Sequence, residues 1–167
     1  MEKSESPQRK LDDIGTYIRS RSSFGLIVQD VLDTKGSAVL TISPESTLQE
    51  ALEMMARDNV GALVVVENHK VVGIISERDF VHEEVHGQRD PEKNPVRRLM
   101  SAPAQTVAPE DSVSECMSLM TVGRVRHLPV CVNERAVGIV SIGDLVNTFI
   151  HGGENLLQQY DRYIRGD

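Results

Sequence analysis

The feature that most constrains the fold is a duplication inside the sequence. When the chain of 167 residues is shifted by 65 residues against itself, positions 41–85 align with 106–150 without a gap, and 15 of the 45 pairs are identical. Self-similarity at a fixed offset is typical of chains that are built from copies of one structural unit. Because a unit of this size buries little surface when it is alone, we predict that the two copies share a core.

Each copy predicts the order strand, helix, strand, strand, helix, which makes the chain a mixed α/β (α+β) protein. The first helix of each copy follows a capping-box pattern, Thr47–Glu50 or Ser112–Glu115, and the last helix begins near Ser76 or Ser141. The predicted segments are a tail or helix at 1–26, a first repeat at 27–86, a linker at 87–95, a second repeat at 96–151 and a C-terminal helix at 152–167, whose apolar stripe suits packing.

Composition excludes several classes of function. The chain has 25 acidic and 18 basic residues, a net charge of −7 and only 4% aromatic residues. A protein that binds nucleic-acid polymers or membrane surfaces needs a positive surface, and one that binds single strands needs aromatic platforms. Residues 1–10 lack an apolar signal core, and no apolar stretch has the length of a membrane span. We therefore expect a cytoplasmic protein with neither nucleic-acid nor membrane partners, and we expect Cys116 and Cys131 to be core residues.

Both copies carry the motif Gly-apolar-apolar-Ser-x-x-Asp where the last strand meets the last helix, at Gly73–Asp79 and Gly138–Asp144. A helix N-terminus offers unpaired amides to phosphate or ribose oxygens. The Asp carboxylate can accept hydrogen bonds from two neighbouring ribose hydroxyls, as in dinucleotide-binding folds. Ser-x-x-Asp is also an ordinary helix cap that stabilises by about 1 kcal/mol. The residues alone leave both interpretations open.

The two copies differ at the start of their second strand. The first copy has Asn59–Ala62, whereas the second has Arg124–His127, with the sequence Arg-Val-Arg-His. Small residues opposite potentially cationic ones would form a cleft with a positive wall, as a phosphate requires. The alternative is that the arginines only face solvent.

One stretch resembles a zinc-protease signature. His82–His86 spells His-Glu-x-x-His, in which two imidazoles on one helical face bind zinc and the glutamate acts as general base. Gly87 follows at once, and the matching stretch at 147–151 has no such chemistry. We therefore predict no catalytic residues, no metal and no enzymatic activity.

Four segments closely resemble a tandem pair of cystathionine-β-synthase (CBS) domains, the Bateman module. They are residues 60–66, 73–79, 124–130 and 138–144, and the resemblance covers about 27–151. It is nearest to stand-alone pairs that carry no enzyme or channel. The resemblance implies two β-α-β-β-α repeats with pseudo-twofold symmetry, two clefts between the repeats that bind adenosine derivatives, and a homodimer.

The function that the resemblance implies is a non-catalytic sensor that binds AMP and signals to an unidentified partner protein by conformational change. ADP, ATP, NAD(H) and S-adenosylmethionine are alternative ligands, and a purely structural dimerisation module or a His-Glu-x-x-His metalloenzyme are alternative functions. Asp79 and Asp144 would bind ribose, whereas Arg126 and His127 would meet phosphate. Together, the expected nucleotide-binding residues are Ser37, Val39, Leu40, Val60, Gly61, Ala62, Ser76, Arg78, Asp79, Ala104, Gln105, Val125, Arg126, His127, Ser141, Gly143 and Asp144.

Overall fold

The structure is a computed structural model, and it describes residues 25–86 and 90–151. The predictions for the N-terminal tail, for the middle of the linker and for the C-terminal apolar stripe lie outside these residues. The elements are α1 (Val28–Lys35), β1 (Thr41–Ile42), α2 (Leu48–Asp58), β2 (Ala62–Glu67), β3 (Lys70–Ser76), α3 (Glu77–His86), a 3-10 turn (Val96–Arg98), α4 (Val113–Gly123), β4 (His127–Val132), β5 (Arg135–Ser141) and α5 (142–151).

The predicted element order and the mixed α+β class are confirmed, with one difference between the repeats. In the first repeat β1 pairs in parallel with β2, which pairs antiparallel with β3. In the second repeat the counterpart of β1 is reduced to a single bridge between Val107 and Val130 beside the β4–β5 hairpin. The reason is Pro129, which stands where the first repeat has Val64. The Val64 amide donates to the Leu40 carbonyl at 3.1 Å, whereas proline has no N–H to donate.

The helix starts agree with the sequence patterns. The hydroxyl of Thr47 accepts from the Glu50 amide at 3.1 Å, and the Glu50 carboxylate accepts from the Thr47 amide at 2.7 Å. Ser112 and Glu115 form the same reciprocal pair. Each box satisfies two amides that a helix N-terminus would otherwise leave unpaired. The helices α2 and α4 therefore begin where the sequence predicts.

The opening segments of the two repeats are exchanged. Helix α1 precedes the first repeat in sequence, yet its buried residues Val28, Val31 and Leu32 belong to the apolar core of the second repeat. Val96, which opens the second repeat, belongs to the core of the first. Two backbone bonds fix this exchange: the Val28 amide donates to the Asp111 carbonyl at 2.9 Å, and the Val96 amide donates to the Ser46 carbonyl at 2.8 Å. The repeats are thus interwoven, and the strand-to-helix junction of each repeat lies beside the start of the second strand of the other.

The two cysteines differ in burial. Cys116 on α4 is fully buried, as predicted, and burial raises the pKa of its thiol to about 11. Cys131 is only partly buried, because the register of β4 shifts between Val130 and Cys131. The prediction of a core position is therefore wrong for Cys131. In the described parts of the chain, no helix is both long enough and apolar enough to span a bilayer.

Candidate functional site

The two Ser-x-x-Asp motifs have the same geometry at the first turns of α3 and α5. The backbone amide and the hydroxyl of Ser76 both donate to Oδ2 of Asp79, at 2.7 and 2.8 Å. Ser141 donates in the same way to Oδ2 of Asp144, at 2.8 Å from each group. The helix-cap interpretation is therefore correct for both motifs. The cap uses Oδ2 alone, so Oδ1 of each carboxylate retains its capacity to accept further hydrogen bonds.

The Asp79 cleft is a cavity of about 380 Å³ between the repeats. Asp79, Ser76 and Arg78 line it from the first repeat, and residues 123–127 line it from the second. The Arg78 guanidinium donates to the Arg124 carbonyl at 2.8 Å, which joins the two sides. Two acidic residues, Asp79 and Glu77, therefore line one cavity together with the arginines at positions 78, 124 and 126, and guanidinium is a good donor for phosphate.

The Asp144 cleft is a second cavity of about 450 Å³. Ser141 and Asp144 line it from the second repeat, and residues 60–62 line it from the first. Lys35, at the end of α1, also lines it, and its ammonium donates to Asp144 Oδ2 and to the Ile139 carbonyl, both at 2.8 Å. Partial burial would raise the pKa of Asp144, but the bonds from Lys35 and Ser141 outweigh burial and hold this pKa below its ordinary value.

The two cavities share a wall formed by Gly61 and His127. A Cβ atom added to Gly61 would lie 3.6 Å from two atoms of the His127 imidazole, so the two residues face each other. Burial lowers the pKa of His127, and Lys35 and Arg126 act in the same direction against the opposing charges of Asp144 and Glu77. The imidazole is therefore neutral at pH 7, and the positive charge of the Arg-Val-Arg-His segment comes from its arginines.

The structure brings most of the expected residues to these cavities. The Asp79 cleft includes Gly61, Ser76, Arg78, Asp79, Val125, Arg126 and His127. The Asp144 cleft includes Leu40, Val60, Gly61, Ala62, His127, Ser141 and Asp144. Five expected residues line neither cavity, namely Ser37, Val39, Ala104, Gln105 and Gly143.

Sequence reasoning missed several residues that line the clefts. They include Lys35, Asp58 and Ile139 in one cleft and Glu77, His82 and Ser101 in the other. Arg124, which the sequence analysis placed on the positive wall of a cleft, also lines the Asp79 cleft. For Lys35 the sequence did contain a signal: the residue 65 positions later is Met100, so the two copies differ in charge at this position. Its contact with Asp144 depends on the exchange of α1, which no local pattern predicts.

The His-Glu-x-x-His stretch lies on α3. His82 lines the Asp79 cleft, and the side chain of His86 lies outside the described part of the structure. Within the described residues, no group of three or more His, Cys, Asp or Glu side chains is arranged to hold a metal ion.

The fold and the paired clefts define a class of protein: a tandem α+β repeat module with capped carboxylates at the repeat interface. The family model of the CBS domain matches residues 28–86 and 96–151, so the chain belongs to the CBS domain family. It is a CBS pair, a type of module that is generally regulatory.

Individual relatives agree with this assignment. The mitochondrial CBS domain-containing protein CBSX3 of Arabidopsis thaliana is 36% identical over an alignment of 148 residues, and the match covers 83% of this chain and 72% of the relative. The crystal structure of the CBS domain protein NE2398 superposes with a TM-score of 0.71 at 37% identity, and the match covers 75% of this chain and 98% of that one. The CBS pair of protein MJ0100 shares the fold, with a TM-score of 0.65, 23% identity and coverage of 77% and 97%; it was solved in complex with 5′-methylthioadenosine and S-adenosyl-L-methionine.

Proposed function

We propose that this chain is a non-catalytic sensor that binds AMP in its clefts and signals the bound state to a partner protein. One observation carries the proposal: in the Asp79 cleft, a capped carboxylate with a free acceptor oxygen shares a cavity with arginines from the other repeat. Asp79 would accept from the ribose hydroxyls, and Arg126 would donate to the phosphate. A volume of about 380 Å³ lies within the range of sites for small molecules.

The site also suggests how binding becomes a signal. Each cleft takes residues from both repeats, so a ligand that contacts both sides binds one relative placement of the repeats better than others. Such differential affinity shifts the population towards the preferred placement. A partner that contacts both repeats would detect this shift, and a homodimer would enlarge the surface that changes.

The experiment is a double substitution, Asp79→Ala with Asp144→Ala, assayed by thermal unfolding with and without AMP. The wild-type protein should gain stability by RT ln(1 + [L]/Kd), which is about 2.7 kcal/mol at a ligand concentration of 100 Kd. The double variant should gain nothing, because both ribose acceptors are lost. An equal AMP-induced increase in Tm in the double variant would contradict the site.

A matched pair of variants separates the cap from the ligand contact. Asp79→Ala and Asp144→Ala remove the caps as well, which costs about 1 kcal/mol each without any ligand. Asp79→Asn and Asp144→Asn keep a cap acceptor but remove the charge. We expect the Asn variants to recover most of the Tm of the free protein, while their binding of AMP stays weakened.

The alternative ligands share the adenosine group and differ in what is attached to it. Mass spectrometry of the small molecules that copurify with the protein distinguishes AMP from ADP, ATP, NAD(H) and S-adenosylmethionine. The complex of MJ0100 with S-adenosyl-L-methionine makes that compound a necessary member of the panel. Calorimetry that shows no binding of any adenosine compound would favour the structural dimerisation module, and zinc analysis would test the metalloenzyme alternative.

The homodimer and the cytoplasmic location belong to the same proposal. Among the large apolar side chains that are exposed in the described residues, four lie on helices and could contribute to contacts between chains, namely Val81 on α3, Val122 on α4 and Val146 and Ile150 on α5. Light scattering after size exclusion tests the dimer. Fractionation of cells tests the compartment, since the relative CBSX3 is described as mitochondrial.

A further inference from the structure

The side chain of Lys35 occupies the polar end of the Asp144 cleft. Its Nζ atom lies 2.8 Å from Asp144 Oδ2 and 2.8 Å from the Ile139 carbonyl, so two of its three N–H donors are used. The side chains of Lys35 and Asp144 are only 29% and 25% exposed. A charge-assisted pair of this geometry and burial is stronger than an exposed surface pair.

The Asp79 cleft has no counterpart of this ion pair. The position equivalent to Lys35 is Met100, whose sulfur packs over Gly73. Asp79 accepts from Ser76, and it forms no ion pair among the side chains that the structure describes. The two carboxylates are therefore capped alike, but only that of Asp144 is neutralised by a cation.

This difference changes what a ligand must supply. In the Asp79 cleft, Oδ2 accepts two hydrogen bonds from Ser76, whereas in the Asp144 cleft Oδ2 accepts a third bond from Lys35 in addition to two from Ser141. A carboxylate can accept about four hydrogen bonds, so a ribose with two hydroxyls finds enough open acceptor sites on Asp144 only if the ammonium moves. An uncharged nucleoside that displaced the ammonium would leave a partly buried cation without its partner, which is unfavourable. A 5′-phosphate is attached to the same ribose, and it offers the displaced ammonium a new anion within reach of a flexible four-carbon side chain.

We propose that Lys35 is the residue by which the Asp144 cleft selects phosphorylated adenosine compounds over unphosphorylated ones. The inference rests on the proposed function, because it assumes that this cleft binds adenosine ligands. It goes beyond that function because it makes the clefts unequal: in the Asp144 cleft, an anion on the ligand is needed to draw Lys35 away from the carboxylate.

The test isolates the cleft with Asp79→Ala and compares AMP with adenosine by titration calorimetry. In that background we expect AMP to bind at least about tenfold more tightly than adenosine. Adding Lys35→Met, which copies the other repeat, should reduce the ratio of the two affinities by about tenfold, with weaker AMP binding and stronger adenosine binding. Lys35→Arg should retain the preference because it retains the charge.

Controls make each outcome decisive. Lys70→Met removes an exposed lysine on the β2–β3 hairpin and should leave the ratio unchanged. If Lys35→Met does not fold, Lys35→Gln is measured in its place. A ratio within about twofold of the background value in the charge-removing variant overturns the role of Lys35. If the wild type binds AMP but Asp79→Ala binds neither compound, the inference about the Asp144 cleft fails, while binding at the Asp79 cleft remains supported. If the wild type binds no adenosine compound, the proposed function fails as well.

Discussion

At His127 the two copies differ within the clefts, because the first repeat has Ala62 at the same position. The sequence predicts its location at a cleft, and the structure agrees, since the imidazole lies on the wall between both cavities. Its charge could not be predicted. The pKa is lowered first by burial, and that burial arises from packing between two repeats that are far apart in sequence.

The lowered pKa of His127 predicts a pH-dependent stability. Between the folded pKa and the ordinary value of about 6.5, the unfolded chain binds a proton that the folded chain excludes. The free energy of unfolding should therefore fall as the pH drops below about 6.5. His127→Ala, which restores the residue of the first repeat, should make this fall smaller in urea unfolding at pH 7.5 and 5.5.

His69 provides the matched control, because it is exposed in the β2–β3 turn. His69→Ala should leave the pH dependence of the unfolding free energy as it is in the wild type. If His127→Ala loses as much stability between pH 7.5 and 5.5 as the wild type does, His127 is not the group responsible.

At the scale of elements, patterns of neighbouring residues predicted the helix starts and the turns, but they did not predict against which repeat an element packs. The capping boxes and the hairpin turns depend on neighbouring residues; Asn68 and His69, for example, adopt φ values of 51° and 65°, as a two-residue hairpin requires. The exchange of α1 depends on packing against core residues of the second repeat, which lie 75 or more residues further along the chain. Lys35 was missed as a cleft residue for the same reason, since α1 carries it there.

In strand β3, the close packing around Gly73 predicts that an added methyl group destabilises the fold. A Cβ atom on Gly73 would lie 2.9 Å from the Ser101 carbonyl, and that carbonyl accepts from the Ile74 amide at 3.1 Å. Because the opposing atom is hydrogen-bonded backbone, it cannot move aside cheaply. Gly73→Ala should destabilise the protein by about 1–3 kcal/mol in chemical unfolding.

Gly61→Ala is the comparison for this substitution. Its added Cβ would meet no atom closer than 3.6 Å, which is ordinary contact, so the unfolding free energy should change by less than about 0.5 kcal/mol. Equal losses for the two variants would show that the clash at Ser101 is not what destabilises Gly73→Ala.

At the scale of the whole molecule, the two repeats form one folding unit. The first repeat needs Val96 to complete its apolar core, and the second needs Val28, Val31 and Leu32 from α1. The duplication predicted one core shared by the two copies, and that prediction is wrong: the buried residues form two clusters, and each cluster is completed by residues from the other half of the chain. A cut between the repeats therefore removes core residues from both sides.

A fragment of residues 25–86 tests this interdependence. It lacks Val96 and leaves the buried face of α1 exposed, so we expect no cooperative thermal transition by circular dichroism, whereas residues 25–151 should show a single one. A fragment of 25–86 that melts cooperatively near the Tm of the longer chain would show that the first repeat is autonomous.

The wall of Gly61 and His127 that divides the cavities has a thermodynamic consequence. Under the proposed function, a ligand that moves the imidazole in one cleft would alter the shape and polarity of the other, and the two occupancies would then carry a coupling free energy. Such coupling is reciprocal: the factor by which the first ligand changes the affinity for the second equals the factor in the opposite direction. If two chemically different compounds bound, one in each cleft, the state of a single molecule would depend on the concentrations of both. His127 would be the residue through which binding in one cleft affects the other.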